Sequence, residues 1–360
     1  MAFSNKIPAM NQDEIENYWN TLCSFTGEDS QKEAQILSDK ILYPNYLFRY
    51  RSVNSNNLEA LRTNKIYLSQ ASKYDDPFDT YLHIDFNRIS QEFEENYKSI
   101  QQIENLSSVL KEIFSYSNLE IPSTYTDFMT SSINLKEAHK NGLKNQFLSY
   151  ILPFRTKIQE KVFSACFSEN GFNETLWLKY ADMHKGFALM YDLTNEESFI
   201  CGKKKECENC PIKQKGVSIY PVYYTNKPYD ATEFAKTIMA EEIANVFKIP
   251  LEKIMINGFK SPIWEVEKNS LIKKECHKYD QEWRMIANCP ITPPVTVEWI
   301  PDSVILGLRT SAVDAKLIIS MAKQAGIKNV YQSYIDNSNR LNGFKISEEY
   351  LCKIIGMEVK

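Results

Sequence analysis

Glycine constrains this chain most, because only 11 of its 360 residues are glycine. The phosphate loops G-x-G-x-x-G and G-x-x-x-x-G-K-[ST] need clustered glycines so that backbone N–H groups can approach phosphates. The sequence contains neither pattern, and it also lacks H-E-x-x-H and G-x-S-x-G, which mark zinc proteases and serine hydrolases. Rossmann, kinase-type, zincin and serine-hydrolase interpretations are therefore not favoured.

Composition places the chain among ordinary globular proteins, with 43% hydrophobic and 24% charged residues. The net charge of −4 argues against a protein that coats duplex DNA, although a local basic patch remains compatible with it. No secretion signal precedes residue 20, and no apolar stretch is long enough to cross a membrane. With eight mostly scattered cysteines, which suit reduced thiols, we expect a cytoplasmic protein without a membrane partner.

Runs of predicted strands are interrupted by helices, and the sequence contains no internal repeat or low-complexity linker. This order predicts an α+β fold with a mixed or antiparallel sheet. We expect a helical lead-in at 1–43, a core at 44–345 and a tail at 346–360. The core is predicted to be interrupted by a helical insertion at 90–160 and by a Cys/Lys loop at 200–216.

The first candidate site lies on a predicted strand that contains Arg49 and Arg51. Alternation along a strand sends both guanidinium groups to one face, where they could clamp a pyrophosphate through charge-assisted hydrogen bonds. Ser69 and the acidic turn 75–79 follow in the sequence. The alternative is that Arg49 pairs with an acid of that turn and fixes it to the sheet.

A second group of candidates surrounds a short predicted helix after Ser168. Trp177 and Tyr180 are three residues apart, so their rings share one helix face and could sandwich a flat heterocycle or simply pack in the core. His184 lies at the junction between this helix and the next strand, a position typical of a capping or hydrogen-bonding histidine.

The segment Asp280-Gln-Glu282-Trp-Arg284 forms a third candidate. As a strand it places the three charged side chains on one face, which predicts either the floor of a polar cleft or a solvated ion pair. A carboxylate beside Arg284 stays ionised, which suits stabilisation of a positively charged transition state.

A fourth candidate is a thiol cluster. Cys207-x-x-Cys210 is half of a common zinc motif, and Cys201 supplies a third thiolate, with Cys276 or His277 as the fourth ligand. The alternative is a set of free thiols on a lysine-rich, solvated loop that could also meet nucleic acid.

In order, these motifs resemble a widespread bacterial family catalogued as domain of unknown function 2971. The matching pieces span about 44–335 and comprise Leu47-Phe-Arg-Tyr-Arg51, Lys65–Ser69, Asp76–Asp79, Phe163–Ser168, Leu176–Gly186, Tyr279–Arg284 and Ile305–Gly307. Two positions depart from the family pattern: Asp75 stands where asparagine is usual, and Asp280 where glutamate is usual.

The order of a strand arginine, a strand serine and an acid-x-Glu strand is also similar to that of ADP-ribosyltransferases. This resemblance implies that Arg49 holds the NAD pyrophosphate or the adjoining ribose and that Ser168 orients the nicotinamide. Glu282 would bind a ribose hydroxyl and stabilise an oxocarbenium-like transition state, while Asp280 would face the acceptor. The implied NAD-binding set is Arg51, Ser69, Trp177, Tyr180 and His184.

The resulting prediction is an NAD-using, ADP-ribosyltransferase-like toxin or anti-phage effector that modifies a protein or nucleic-acid acceptor. A non-catalytic module that binds a nucleotide or nucleic acid is the alternative. A phosphodiester-cleaving enzyme is disfavoured, because no cluster of metal-binding carboxylates is evident in the sequence.

Overall fold

The computed structural model describes residues 8–85, 162–194, 219–237, 264–288 and 295–355, with isolated positions at 87–88, 91, 156, 159–160, 241, 248 and 250. Apart from four of those positions, the predicted helical insertion at 90–160 lies outside the described residues. The whole of the predicted Cys/Lys loop at 200–216 lies outside them as well.

Runs of strands are interspersed with helices along the described residues. The helices are α1 (Gln12–Ser24), α2 (Ser30–Ser38), α3 (Ser55–Arg62), α4 (Glu174–Tyr180), α5 (Glu265–Ser270), α6 (Ala312–Gln324) and α7 (Glu348–Ile355). The strands are β1 (Tyr46–Arg51), β2 (Lys65–Gln70), β3 (Val162–Ser168), β4 (Phe187–Asp192), β5 (Ile219–Pro221), β6 (Tyr223–Tyr224), β7 (Ile272–Lys273), β8 (Glu282–Asn288), β9 (Val295–Glu298), β10 (Ser303–Leu306), β11 (Asn329–Ile335) and β12 (Leu341–Lys345).

Asparagine and serine side chains cap the N-termini of several of these helices. Asn11 forms a reciprocal capping box with Glu14 before α1, and Asn54 and Asn173 accept hydrogen bonds from the first turns of α3 and α4. Ser311 caps α6 in the same way. These side chains satisfy backbone N–H groups that have no partner within the helix, so short helices such as α4 begin at defined residues.

The strands form a mostly antiparallel ten-stranded sheet in the order β12-β11-β10-β4-β1-β3-β2-β9, with β8 pairing β3 and β5. Within this sheet only β10 and β11 run parallel, while β6 and β7 make a separate parallel pair. The predicted α+β class with a mixed or antiparallel sheet is confirmed. No helix in the described ranges has the length and apolar character that a membrane span requires.

The sheet divides where β1 and β2 both meet β3. β1 pairs with β3 only through Phe48 opposite Ser168, whereas β2 pairs with the other end of β3 through Ser69 and Gln70. On its second edge β3 pairs along its whole length with β8, which places Ser168 opposite Glu282. Strand β3 therefore has β1, β2 and β8 as direct neighbours, and all four strands carry predicted site residues.

The strand predicted for the segment from Asp280 to Arg284 begins later than the sequence pattern indicates. Residues Glu275–Asp280 form a 3-10 helix, and Gln281 has a left-handed backbone with φ of 45°, so β8 starts only at Glu282. Strand β12 and helix α7 lie where no such elements are predicted. Asp280 consequently reaches its position from a tight turn rather than from a strand.

Two glycines let the backbone of the α4–β4 turn approach its neighbours. A Cβ on Gly186 would lie 2.1 Å from the carbonyl oxygen of Arg51, and one on Gly307 would lie 2.2 Å from that of His184. Asp182, Met183 and His184 all have positive φ angles, which is costly for residues with a side chain. Close packing between β1, this turn and β10 therefore depends on the absence of these two side chains.

We expect Gly186→Ala to lower the free energy of unfolding by about 2 to 3 kcal/mol, because the added methyl group must displace backbone rather than a flexible side chain. The matched control is Gly326→Asn. Gly326 has a φ of +80°, and a Cβ added there would meet no neighbouring atom within 4 Å, while asparagine tolerates the left-handed conformation. Urea unfolding of both variants checks the expectation, and equal midpoints would contradict the close approach.

Candidate functional site

A cleft of about 700 Å³ opens where the sheet divides between β1 and β2. Its wall consists of β1, β3, the turn after β2, the end of α4 and the start of β8. Six predicted site residues line it, namely Arg49, Arg51, Ser69, Ser168, Tyr180 and Glu282. A volume of this size accommodates a small molecule or cofactor.

The two arginines of β1 lack carboxylate partners among the described residues. Nη2 of Arg49 donates to the carbonyl oxygen of Tyr67 at 3.0 Å, while its Nε is buried without a hydrogen-bond partner. Nη1 of Arg51 donates to the carbonyl oxygen of Tyr50 at 2.9 Å. The contacts described for both groups thus leave their positive charges uncompensated.

Their environment disfavours the charged form of both side chains. Burial lowers the pKa of Arg49, and burial together with the neighbouring Arg49 lowers the pKa of Arg51. When folding lowers the pKa of a cationic side chain, keeping that side chain protonated in the folded protein reduces the free energy of unfolding. An anion bound between the two guanidinium groups would relieve this cost.

Arg284 forms the centre of a compensated network below the cleft. Its fully buried guanidinium donates to both carboxylate oxygens of Asp79, at 2.7 and 2.6 Å, and to Oε1 of Glu282 at 2.6 Å. The acid of the 75–79 turn therefore pairs with Arg284, so the proposed pairing of Arg49 with that turn is wrong. The solvated ion pair predicted as an alternative at Glu282 is also wrong, because Arg284 and Glu282 are both buried.

Lys273 extends the network to a second carboxylate. Its Nζ donates to Oε2 of Glu282 at 2.7 Å and to Oδ2 of Asp280 at 2.9 Å. Burial acts to raise the pKa of Glu282, but Arg284 and Lys273 outweigh it and hold that pKa well below the usual range. The resulting stabilisation is present above the pKa of an unfolded glutamate and is lost as the pH falls towards the lower folded value.

Ser168 lies in the cleft, but its hydroxyl is already hydrogen-bonded within the protein. It donates to the carbonyl oxygen of Asp280 at 2.7 Å and accepts from the N–H of Asn170 at 3.2 Å. Ser168 thereby holds the turn before Glu282 against β3. One lone pair of the Ser168 hydroxyl oxygen is not used in these contacts and could still accept a hydrogen bond in the predicted role at nicotinamide.

The two rings of α4 have different environments. Trp177 is 0% exposed, packs against Tyr50 and His184, and donates from its indole N–H to the carbonyl oxygen of Gly171. Its predicted stacking on a ligand is wrong, because the ring is part of the core. Tyr180 is 44% exposed and lines the cleft, so it is the ring of this pair that a ligand can reach.

His184 does not line the cleft. Its ring stacks on Trp177 with 6.0 Å between centroids, and its carbonyl oxygen accepts from Arg309 N–H at 2.9 Å. His184 is therefore separated from the predicted NAD-binding residues that line the cleft, because it packs on Trp177 in the turn before β4.

Three of the four predicted zinc ligands, Cys201, Cys207 and Cys210, lie outside the described residues. Cys276 is an exposed free thiol on the 3-10 helix before β8, and the alternative ligand His277 lies in the cleft wall. Within the described ranges no group of three or more candidate ligands could hold a metal ion. The zinc site remains a prediction.

Sequence reasoning missed two residues of the site. Lys273 lies on a two-residue strand, which is too short to show alternation, so no sequence signal indicated its position. Cys166 lies on β3 between Ser164 and Ser168 and lines the cleft with them. Its location follows from the same period-two pattern and could have been found.

We expect Asp79→Asn to lower the free energy of unfolding by about 3 kcal/mol, because it leaves the buried charge of Arg284 without its bidentate partner. The exposed bidentate pair of Arg62 with Glu59 provides the control. Glu59→Gln should leave stability nearly unchanged, since water screens that pair. Equal effects of the two variants in urea unfolding would contradict the central role of Arg284.

Comparison with known proteins finds no counterpart for this arrangement. No protein-family model, no curated protein and no solved structure matches the chain. The charges, hydrogen bonds and exposed rings of the cleft are therefore the evidence for its function.

Proposed function

We propose that the cleft binds a phosphorylated ligand of nucleotide or dinucleotide size, with NAD as the leading candidate, and that Arg49 and Arg51 contact its phosphates. One observation carries the proposal: two adjacent guanidinium groups line the cleft without a carboxylate partner among the described residues. Partly or fully buried cations without a counter-ion cost folding free energy, and a bound anion offsets that cost.

The geometry of guanidinium favours phosphate as that anion. Each fork presents parallel N–H donors that match two oxygens of one phosphate group, and two neighbouring forks match a diphosphate. The exposed ring of Tyr180 in the same cleft offers a face to a base or another flat ring. These features together favour a nucleotide over a simple carboxylate.

The prediction of a nucleic-acid partner has less support from the described residues. It rests on the lysines of the 200–216 loop, which lie outside the described ranges. The cleft itself is lined by acids as well as by bases, including Asp75 and Asp76 at its turn. A compact ligand carrying a few phosphates suits this mixed lining better than a long polyanion does.

An ADP-ribosyltransferase is the second candidate, and a specific observation favours it. Arg49, Ser168 and Glu282 lie on the neighbouring strands β1, β3 and β8 and line one cleft, as the likeness to ADP-ribosyltransferases implies. Membership of the domain of unknown function 2971 and an ADP-ribosyltransferase-like fold belong to this proposal. A toxin or anti-phage role with a protein or nucleic-acid acceptor follows from the same likeness alone.

The transfer places a particular demand on Glu282. In the reaction the bond between nicotinamide and the ribose C1′ breaks, nicotinamide leaves with the electron pair, and an acceptor lone pair bonds to C1′ while the acceptor loses a proton. Glu282 would oppose the positive charge that develops on the ribose. To accept a hydrogen bond from a ribose hydroxyl, Glu282 must give up one of its present hydrogen bonds. Lys273 can release Oε2 of Glu282 and keep its hydrogen bond to Asp280.

We expect Arg51→Met to weaken binding of ADP-ribose by about 10- to 100-fold, because it removes charge-assisted hydrogen bonds to phosphate. Without ligand, the same variant should unfold at a higher temperature than the wild type, since it removes an uncompensated cation. Titration calorimetry and thermal unfolding measure the two effects.

The matched control for Arg51→Met is Arg340→Met. The side chain of Arg340 is 76% exposed and lies in the connection between β11 and β12, at the end of the sheet away from β2. This variant makes the same change in net charge and should leave both quantities near the wild-type values. Equal affinity of Arg51→Met and wild type for ADP-ribose would overturn the phosphate site.

For the transferase candidate, Glu282→Gln should reduce nicotinamide release from labelled NAD by about 100-fold or more, because the charge opposing the transition state is lost. Circular dichroism and retained binding of ADP-ribose show that the variant is folded. Equal release from variant and wild type, or none from wild type with any protein or nucleic-acid acceptor, would leave binding without transfer as the function.

A further inference from the structure

Phe78 exposes its ring in the wall of the cleft. Its side chain is 63% exposed, although phenylalanine is usually buried. The turn that carries it is ordered by a hydrogen bond from the N–H of Phe78 to Oδ1 of Asp76 at 2.9 Å. Beneath it, Asp79 is fixed by Arg284. A defined turn thus holds a large apolar ring towards the cleft.

A cation already lies over this ring. Nζ of Lys274 is 4.1 Å from the ring centroid of Phe78, within the range in which an aromatic face attracts a positive charge. Lys274 is exposed and forms no ion pair with a described carboxylate. Its ammonium group is therefore free to move into water when another group takes its place on the ring.

Two carboxylates lie near Phe78 and favour positive charge there. Asp75 and Asp76 precede it on the same turn and line the same cleft; Asp75 is exposed, and Oδ2 of Asp76 lies 3.5 Å from Nε2 of His277. Arg49 and Arg51, which also lack a described carboxylate partner, lie on β1 instead. One cleft therefore presents a basic strand and an acidic turn that carries an open aromatic face.

From this arrangement we infer that the ligand carries, besides its phosphates, a flat and positively charged ring, and that Phe78 binds this ring by its face in place of the Lys274 ammonium group. The inference rests on the proposed phosphate site and adds the chemistry of the ligand's other end. The oxidised nicotinamide ring of NAD has the required charge, whereas the reduced ring is neutral. The cleft should accordingly distinguish the two oxidation states of the same dinucleotide.

The test compares three probes on the purified full chain by equilibrium dialysis: oxidised NAD, reduced NAD, and ADP-ribose, which lacks the ring. Chromatography verifies that each probe is intact. Wild type should bind oxidised NAD about 2- to 30-fold more tightly than reduced NAD. Phe78→Leu keeps an apolar side chain but removes the aromatic face, and it should bring this ratio close to one while leaving the affinity for ADP-ribose unchanged.

Phe344→Leu is the matched control, because Phe344 is a 51% exposed phenylalanine on β12 outside the cleft. It should keep the wild-type ratio. A ratio that Phe78→Leu leaves unchanged, with ADP-ribose still bound, overturns the role of Phe78 but not the phosphate site. Failure of wild type to bind any of the three probes overturns both.

Discussion

The buried guanidinium of Arg284 is the contact on which the arrangement of the cleft depends. It joins the turn after β2 through Asp79, the start of β8 through Glu282 and the end of α5 through the carbonyl oxygen of Ser270. The first of these segments is far from the other two in the sequence. Because a buried charge is tolerated only when its partners are complete, the network fixes all three segments at once and so defines one side of the cleft.

The arginines of β1 lack carboxylate partners among the described residues because the nearby acids are already paired with Arg284 and Lys273. The carboxylates Asp79 and Glu282 are already paired with Arg284, and Lys273 takes the rest of Glu282 and part of Asp280. These acids are thus not available to neutralise Arg49 and Arg51, although they line the same cleft. The fold therefore leaves two arginines without a described counter-ion beside acids that are already paired, and such incomplete arrangements are characteristic of binding sites.

Much of this architecture could be predicted from local sequence patterns. Alternation predicts that Arg49 and Arg51 share one strand face, and the short helix after Ser168 is correctly expected to bring Tyr180 to the site. Patterns could not show that Trp177 is a core residue, because spacing alone does not reveal what covers a helix face. The pairing of Asp79 with Arg284 joins residues 205 positions apart, and a single sequence carries no signal for such a contact.

The acid-x-Glu segment lies in the cleft wall, although the strand predicted for it begins later in the structure. The sequence pattern predicts one strand for Asp280, Glu282 and Arg284, but a left-handed Gln281 places Asp280 in a turn before β8. Lys273 nevertheless brings Asp280 and Glu282 together. At Gly186, the absence of a side chain permits the approach of β1 to its neighbouring turn.

A crystal structure determined with ADP-ribose is the sharpest test of the phosphate site. We predict diphosphate oxygens at about 3 Å from guanidinium nitrogens of Arg49 and Arg51, with Arg284 still bound to Asp79. A diphosphate bound elsewhere on the protein, or a cleft in which a carboxylate of the chain pairs with both β1 arginines, would contradict it.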